Sequence, residues 1–375
     1  MDNAATSWPK PKEVFRAMRY YMHRCGGNPG RSGHRRAIES GRIVLAAREN
    51  IAELFGIEDP GRIIFTKNAT EALNIALFGT LSPGDHLVTT SMEHNSVLRP
   101  VKELERRGIR AVLVEADAAG VVDPHCLLEA VTRDTRLVCV NHASNVTGTV
   151  QDIETIARGC REKEVPLLLD AAQTAGALDI PWGKLGIDFL AASGHKGLLG
   201  PTGTGFLYVR DSFPAPLMYG GTGSLSDREV QPDFFPDCLE SGTLNVAGIA
   251  GLSAGIEYIL KRGLGSIRDQ ELSLLERLIS GFRTIPGVRV YGPKSLESRT
   301  GAVSINFDSV SPSEAGQILD RDYGIFSRIG LHCAPRAHTT IGTFPEGTVR
   351  FGVGPFTTKR DVEITLRAVR NIAAE

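Results

Sequence analysis

The chain alternates short apolar runs with segments of helical periodicity from about residue 36 to residue 210. The apolar runs predict β-strands at 62–66, 86–90, 111–115, 136–140, 166–170, 188–192 and 205–209. The segments between them have apolar residues at helical spacing and predict helices at 69–79, 95–107, 124–132 and 152–164. Strands that alternate with helices in this way predict a largely parallel sheet that is buried on both faces.

The pattern changes beyond about residue 250. Helical periodicity and isolated apolar runs predict helices at 246–262, 265–284 and 359–373, and strands around 301–306 and 348–353. This mixture is typical of a second, smaller α+β domain. We therefore expect a large α/β domain over residues 16–250 and a small α+β domain formed by residues 1–15 and 251–375.

The composition is that of an ordinary globular protein and excludes several classes of function. The 375 residues are 42% hydrophobic and carry a formal net charge of -1, so no broad basic surface for nucleic acid is expected. The longest apolar runs fall far short of the roughly 20 residues that span a bilayer. The N-terminus lacks the basic and apolar regions of a secretory signal, so we expect a cytoplasmic protein that does not associate with membranes.

The cysteines indicate neither a metal site nor disulfides. The six positions are Cys25, Cys126, Cys139, Cys160, Cys238 and Cys333. No C-x-x-C pair occurs among them, so we expect no metal and no disulfide framework. Most of these thiols are expected to be reduced and structural, as for Cys139 inside its apolar run.

Polar residues follow the predicted strands at the edge of the sheet where open α/β folds bind ligands. Asp170 ends one strand, and Lys196 follows the next. An aspartate at a strand end is suited to hold a pyridine nitrogen protonated, and a lysine one strand later is suited to form an imine with a cofactor aldehyde. Taken singly, each residue has an ordinary alternative as a helix cap or a solvated charge.

Two more loops belong to the same pattern. Segment 66–71 joins a strand to a helix, so its backbone N–H groups and the Thr70 hydroxyl are suited to bind a phosphate, with a plain N-cap as the alternative. His94 also follows a strand, where an imidazole can stack on a flat ring or move protons.

Seven segments resemble the ordered motif series of class V aminotransferase-fold enzymes, and within that class they most resemble cysteine desulfurases. The segments are 2–6, 70–71, 93–95, 145–148, 170–173, 193–196 and 240–243. The resemblance extends from residue 1 to about residue 373. It implies an α/β fold of the PLP-dependent transferase type (fold type I, aspartate-aminotransferase-like), with pyridoxal 5'-phosphate (PLP) as cofactor.

The resemblance also implies a role for each matching residue. Lys196 is then the Schiff-base lysine, Asp170 pairs with the pyridinium nitrogen, Gln173 bonds the ring hydroxyl, and His94 stacks on the ring as a catalytic residue. The residues implied at the phosphate are Ala69, Thr70, Ser193, His195 and, from the other subunit of a homodimer, Thr243.

A second set of residues matches the substrate site. Arg350 and Asn145 match the family's carboxylate-binding residues, and a guanidinium suits a carboxylate because it can bind both oxygens. Segment 328–334 resembles the R-x-G-x-H-C-A motif that carries the nucleophilic cysteine of one desulfurase group. The resemblance therefore makes Cys333 the nucleophile, with Arg328 beside it at the substrate. The Cys333 thiolate would attack the sulfur of bound L-cysteine, form a persulfide and leave L-alanine.

Some features support the assignment to this desulfurase group, and others differ from the usual sequence of the group. The short stretch between Cys333 and Arg350, and Glu240 before Ser-Gly-Thr, favour the group with a constrained cysteine loop, which passes sulfur to a protein acceptor. Leu331 replaces a second histidine that is common in that group, and segment 350–358 differs from the usual run. These departures concern substrate range, rate and acceptor, and they leave Lys196 and the cofactor untouched.

Other functions remain as alternatives. A selenocysteine lyase, or an enzyme that acts on cysteine sulfinate, needs less of Cys333. Transamination or β-elimination on a small amino acid would retain Lys196 and dispense with Cys333. A cofactor-free scaffold would retain only the fold, but the intact set of Lys196, Asp170, Gln173 and His94 argues against it. As partners we expect L-cysteine, a second copy of the chain and a protein sulfur acceptor, and no nucleic acid.

Overall fold

The larger sheet contains seven strands. The computed structural model describes residues 1–30, 33–180 and 182–374. The strands are β1 (Ile63–Thr66), β2 (His86–Thr90), β3 (Arg110–Val114), β4 (Thr135–Asn141), β5 (Leu167–Asp170), β6 (Phe189–Ser193) and β7 (Gly205–Val209). Their order across the sheet is β1-β7-β6-β5-β4-β2-β3. The five neighbouring strands β6, β5, β4, β2 and β3 are parallel to one another, whereas β7 runs antiparallel to both β6 and β1. The predicted mainly parallel sheet is therefore present.

Helices complete both halves of the structure. Their bounds are α1 (Lys12–Tyr20), α2 (Arg35–Phe55), α3 (Ala69–Thr80), α4 (Asn95–Arg106), α5 (Pro124–Glu129), α6 (Ile153–Glu162), α7 (Val246–Arg262), α8 (Leu264–Arg283), α9 (Pro312–Tyr323), α10 (Pro335–Thr340) and α11 (Lys359–Ala373).

The large sheet is buried on both faces because its residues alternate between two cores. Ile63 and Phe65 of β1 pack in the core that contains residues of α2, α6 and α7. Ile64, between them, packs in the core that contains residues of α3 and α4. This alternation is the two-residue period of a strand, and apolar side chains in both directions hold the sheet between two helical layers.

A second sheet has four strands and its own core. The strands are β8 (Val288–Val290), β9 (Ala302–Phe307), β10 (Arg328–Gly330) and β11 (Thr348–Gly352), in the order β10-β11-β9-β8, and all their pairings are antiparallel. Apolar residues of α8, α9 and α11 cover this sheet. The edge strand β10 leads directly to Cys333, so the small sheet positions the predicted nucleophile.

The N-terminal residues lie against the small sheet. Asp2 forms a bridge with Gly352 at the end of β11, and the Gly352 N–H donates to the Met1 carbonyl. Assigning residues 1–15 and 251–375 to one domain and 16–250 to the other stays a prediction, and Glu375 lies outside the described residues. Within the described ranges, no helix combines the length and the apolarity that crossing a bilayer requires.

Candidate active site

The carboxyl ends of β2, β4, β5 and β6 border a cavity of about 270 Å³. Most of the site residues predicted from the sequence line it: Ala69, Thr70, His94, Asn145, Asp170, Gln173, Ser193, His195, Lys196 and Arg328. Three of the predicted residues do not line it, namely Thr243, Cys333 and Arg350. The loops after four strands therefore converge as the strand-end argument predicts.

Lys196 places an amine at this cavity. It follows β6 and lines the cavity. Burial lowers the pKa of Lys196 from 10.5 to about 8, although Asp170 acts in the opposite direction. A larger fraction of the amine is therefore neutral near pH 8 than for an ordinary lysine, which suits attack on an aldehyde.

Asp170 forms the wall of the cavity at the end of β5. It is 6% exposed, and its Oδ1 accepts a hydrogen bond of 2.9 Å from the Ala172 N–H. Burial raises the pKa of Asp170, while the Ala172 hydrogen bond and the Lys196 charge lower it. Gln173, in the same loop, donates through Nε2 to the Ala4 carbonyl at 3.1 Å, which ties the loop to the N-terminal segment.

The lining of the cavity also contains groups suited to bind an anion. Ser193 accepts a hydrogen bond from the Ala69 N–H at 3.0 Å, at the first residue of α3. The Thr70 hydroxyl lies 2.7 Å from that of Ser96, at the start of α4. The His195 Nδ1 is buried without a partner among the described residues. Helix N-termini, hydroxyls and a free ring nitrogen are the groups that bind a phosphate.

His94 also lines the cavity and is held there as a neutral imidazole. Its Nδ1 accepts a hydrogen bond of 3.1 Å from the Ser96 N–H and caps α4. Burial lowers the pKa of His94 to about 4, and the charge of Lys196 acts in the same direction. Since Nδ1 accepts, we assign the proton to Nε2.

Arg350, expected to bind the substrate carboxylate, is instead paired with groups of the chain itself. It is fully buried (0% exposed), its Nη1 donates to the Asn145 carbonyl at 2.9 Å, and its Nη2 forms an ion pair with Asp2 at 2.9 Å. Its Nε is buried and has no partner in the described part of the chain. Arg350 therefore already has a carboxylate partner from the chain itself, and its role as the carboxylate-binding residue stays a prediction.

Cys333 is exposed and lies beside the cavity. Arg328, which lines the cavity, donates through Nη2 to the Cys333 Sγ at 3.4 Å. The ring of His332, the residue before Cys333, is buried, and its Nε2 lies 3.0 Å from the Thr348 hydroxyl. Burial lowers the pKa of His332 to about 2, so this imidazole is neutral.

The backbone of the cysteine loop is constrained. His332 and Cys333 both have positive φ, 49° and 59°, which costs on the order of 1 kcal/mol for each L-residue. The Asn145 side chain donates to the His332 carbonyl at 2.7 Å, and the Asn95 N–H donates to the Cys333 carbonyl at 2.7 Å. These two bonds hold the strained pair against the loop after β4 and the first residue of α4.

Thr243 lies apart from the cavity. It is exposed and lines a separate pocket of about 150 Å³, together with Glu240 and Lys67. Glu240, near the start of the loop that contains Thr243, forms an ion pair with Arg48, with 2.7 Å between Oε2 and Nη2. The expected contact from another subunit therefore stays a prediction.

Three polar residues that line the cavity were not predicted from the sequence: Asn68, Ser96 and Asn141. Asn141 had a visible signal, because it ends β4 just as Asp170 ends β5. Asn68 and Ser96 look like ordinary helix-start residues in a sequence, and only the packing of α3 beside α4 brings them to the same cavity.

The aminotransferase class-V family model matches residues 1–365 of this chain. A probable cysteine desulfurase of Methanothermobacter thermautotrophicus is 37% identical, over 99% of this chain and 94% of its own length. The cysteine desulfurase IscS of Dictyoglomus turgidum is 32% identical, over 99% of this chain and 93% of its own.

Solved structures give the same comparison. The apo structure of a cysteine desulfurase from Thermococcus onnurineus NA1 is similar with a TM-score of 0.92 and 34% identity, covering 100% of this chain and 94% of that one. The Escherichia coli cysteine desulfurase CsdA, solved as an S-sulfonic acid, has a TM-score of 0.88 and 30% identity, covering 100% of this chain and 94% of its own.

Proposed function

The chain belongs to the class V aminotransferase family, and from this membership we propose that it is a PLP-dependent cysteine desulfurase that converts L-cysteine to L-alanine and carries the sulfur as a persulfide on Cys333. The family and its fold type I architecture, predicted from the sequence, are confirmed. The observation that carries the proposal is the side chain of Arg328, which borders the cavity of Lys196 and contacts the sulfur of Cys333.

The residues of the cavity fit the cofactor. Asp170 would face the ring nitrogen, His94 would stack on the ring, and Gln173 would reach the ring hydroxyl. The unpartnered His195 Nδ1, with Thr70, Ser193 and the Ala69 end of α3, would hold the phosphate. Bound there, PLP supplies an electron sink for the bonds at the substrate Cα.

Lys196 would anchor the cofactor and then move protons. Its side chain lines the cavity that would receive the cofactor and the substrate. An amine with a pKa of about 8 can take a proton near neutral pH and return it.

Cys333 would perform the sulfur transfer. Its thiolate attacks the substrate sulfur, so the new S–S bond forms as the Cβ–S bond breaks, and the bonding electron pair stays on the substrate carbon. Protonation of that carbon completes L-alanine. Arg328 would stabilise the thiolate, because a guanidinium donates a charge-assisted hydrogen bond to an anion.

A second candidate has one supporting observation. Cys333 is exposed and does not line the cavity. A selenocysteine lyase, or another class V aminotransferase or β-lyase that acts on a small amino acid, needs only Lys196 and the cofactor residues. The two candidates differ in whether Cys333 is required.

The partners also belong to the proposal. Large apolar side chains are exposed on α1, on α2 and in the segment after β7, and a second copy of the chain would cover them; they include Phe15 (56% exposed), Leu45 (52%) and Tyr219 (70%). In such a homodimer Thr243 would reach the phosphate of the other subunit. A protein sulfur acceptor would dock near the exposed Cys333, and the location would be cytoplasmic.

The deciding experiment measures sulfide and alanine made from L-cysteine by PLP-loaded enzyme, with a thiol present to release the sulfur. We expect Cys333→Ala to lose both products and to keep the imine absorbance of the cofactor. Cys126→Ala is the matched control, since Cys126 is the other exposed thiol. Undiminished activity of Cys333→Ala would overturn the persulfide mechanism and favour the second candidate.

A further inference from the structure

Glu93 is a buried carboxyl group that the mechanism above does not use. It lies between β2 and α4 and is 0% exposed. Its Oε1 accepts hydrogen bonds from the Thr90 hydroxyl at 2.7 Å and from the Asn141 N–H at 2.9 Å. Its Oε2 is buried and has no partner among the described residues. An ionised carboxylate with one bare oxygen in this position would be costly.

Asn141 connects Glu93 to the cavity. Its Nδ2 donates to the Met92 carbonyl at 2.7 Å, whereas its Oδ1 is buried without a donor in the described chain. Asn141 lines the cavity and is the Cα partner of Asp170 across β4 and β5. Glu93 is therefore hydrogen-bonded to a residue of the cavity lining, and that residue is the strand neighbour of Asp170.

The charges around Glu93 favour its neutral form. Burial raises the pKa of Glu93 to about 8, and the negative charge of Asp170 acts in the same direction, whereas the two hydrogen bonds to Oε1 lower it. Glu93 also acts on the Cys139 thiol, whose pKa is raised well above its ordinary value by burial and then by the charges of Glu93 and Asp170. A neutral carboxyl group carries an O–H, and the buried Asn141 Oδ1 is an acceptor without a donor among the described residues.

We propose that Glu93 is a positioning residue for the cofactor: as a neutral carboxylic acid it donates to Asn141, fixes that side chain at the cavity wall and leaves Asp170 without a second negative charge beside it. This inference rests on the proposed cofactor and is independent of sulfur transfer. Glu93 acts through Asn141 and Asp170 and touches neither cofactor nor substrate.

The first test uses the cofactor-free protein and the substitution Glu93→Gln, which keeps the shape and cannot ionise. The unfolded chain releases the Glu93 proton near pH 4.5 and the folded chain near pH 8. The folded state therefore binds more protons between these values, so this group destabilises the fold progressively as pH rises through that window. We expect the Tm of Glu93→Gln, minus that of the wild type, to increase from pH 5 to pH 8. A constant difference would overturn the neutral assignment.

The second test measures the Kd of PLP for the cofactor-free protein by absorbance titration between pH 6.5 and 9.5. Gln can donate to Asn141 at every pH, whereas wild-type Glu93 loses its O–H above about pH 8. We expect equal Kd values within about threefold at pH 6.5, and a weaker Kd for the wild type than for Glu93→Gln at pH 9.5. Titrations of Lys196 and of the phosphate are common to both proteins, so the ratio isolates Glu93. A ratio that does not change with pH would overturn the positioning role.

Glu271→Gln is the matched control. Glu271 is also buried, and burial raises its pKa to about 8, but it lies on α8 beside Arg268 and Arg262. The separate cavity that it lines includes Lys196 and Gln173 but neither Asn141 nor Asp170, so this control lies near the lysine and lacks the contact with Asn141. We expect this variant to show the pH-dependent Tm difference, with a Kd ratio to wild type that does not change with pH. A Kd ratio that changes with pH as it does for Glu93→Gln would assign the effect to buried carboxyl groups in general and overturn the inference. If PLP bound to none of the proteins, the proposed function would fail, while the Tm test of Glu93 would still stand.

Discussion

The Nη2 of Arg328 lies 3.4 Å from the sulfur of Cys333, and the same side chain borders the cavity that contains Lys196. One residue of the small sheet thus connects the predicted nucleophile to the predicted cofactor site. The bonds from Asn145 and Asn95 to the strained cysteine loop hold this arrangement in place.

Removing the Arg328 charge should slow sulfur transfer and leave cofactor binding intact. A charged hydrogen bond is worth about 1.5–3 kcal/mol, so we expect Arg328→Met to lower the rate of persulfide formation by about 10- to 100-fold. Rapid-quench alkylation of Cys333 after mixing with L-cysteine measures that rate. Arg336→Met, an exposed arginine on α10, is the control and should match the wild type. An unchanged rate in Arg328→Met would show that the contact with the sulfur is incidental.

Capture of PLP by the cofactor-free protein should follow the titration of Lys196. Because the pKa of Lys196 is about 8, we expect the rate of imine formation to rise from pH 6.5 and to level off by about pH 9. Stopped-flow absorbance measures it. Asp170→Asn removes a charge that raises the pKa of Lys196, so its plateau should begin at lower pH. A wild-type rate that continues to rise tenfold per pH unit to pH 10 would mean that the lysine is unperturbed.

The lowered pKa of Lys196 also predicts how the stability of the fold changes with pH. Its folded pKa is lowered from 10.5 to about 8, so the unfolded chain binds more protons between these values. This group therefore adds stability as pH rises from about 8 to 10.5. Relative to Lys196→Met, the cofactor-free wild type should gain Tm over that range. A difference that stays flat or falls would contradict the assignment.

The buried ion pair between Arg48 and Glu240 should matter for folding. Their side chains are 8% and 6% exposed, and burial raises the pKa of Glu240 while Arg48 lowers it. Arg48→Met leaves a buried carboxyl group without its cation, so we expect a loss of about 3–5 kcal/mol in the free energy of unfolding, measured with guanidinium chloride.

An exposed ion pair provides the control. Lys102 pairs with Glu105 at 2.6 Å on the surface, with 58% and 30% of their side chains exposed. Lys102→Met should cost less than about 1 kcal/mol. Equal losses for the Arg48 and Lys102 variants would show that burial of the first pair has no energetic consequence.

We expect Gly176 to tolerate no side chain, because the loop that contains Lys196 packs against it. It has a φ of +77°, and an added Cβ would overlap the carbonyl of Gly197, next to Lys196. We expect Gly176→Ala to lower the Tm and to weaken PLP binding by more than about tenfold. In contrast, Gly41 lies within α2 with open space around its Cα, so Gly41→Ala should raise stability by about 0.5–1 kcal/mol. PLP binding of Gly176→Ala equal to that of the wild type would contradict the close packing.

The sequence predicts the large sheet well, since each buried parallel strand is a continuous apolar run between helical segments. Helix α7 matches its predicted bounds of 246–262, and α11 matches 359–373. The short strands β8 and β10 were not predicted, because three residues show no periodicity. The antiparallel direction of β7 was also missed, since direction depends on the connection and is not visible in an apolar run.

The sequence predicts residues of the cavity lining where a residue type at a strand end carries its own chemistry. Asp170 and Lys196 are examples, and both line the cavity. The ion pair of Arg350 with Asp2 was not predicted, because it depends on the N-terminal segment pairing with β11, 348 residues away. The side-chain contact of Arg328 with Cys333 likewise depends on the turn after β10.

The proposed function requires that Cys333 receives sulfur from L-cysteine. The direct test is mass spectrometry of the Cys333 peptide after one turnover of PLP-loaded protein without added thiol. We expect this peptide to gain the mass of one sulfur atom, one alanine to form per modified thiol, and peptides of Cys126 to be unchanged. Alanine formed with no added mass on the Cys333 peptide would contradict the proposed function.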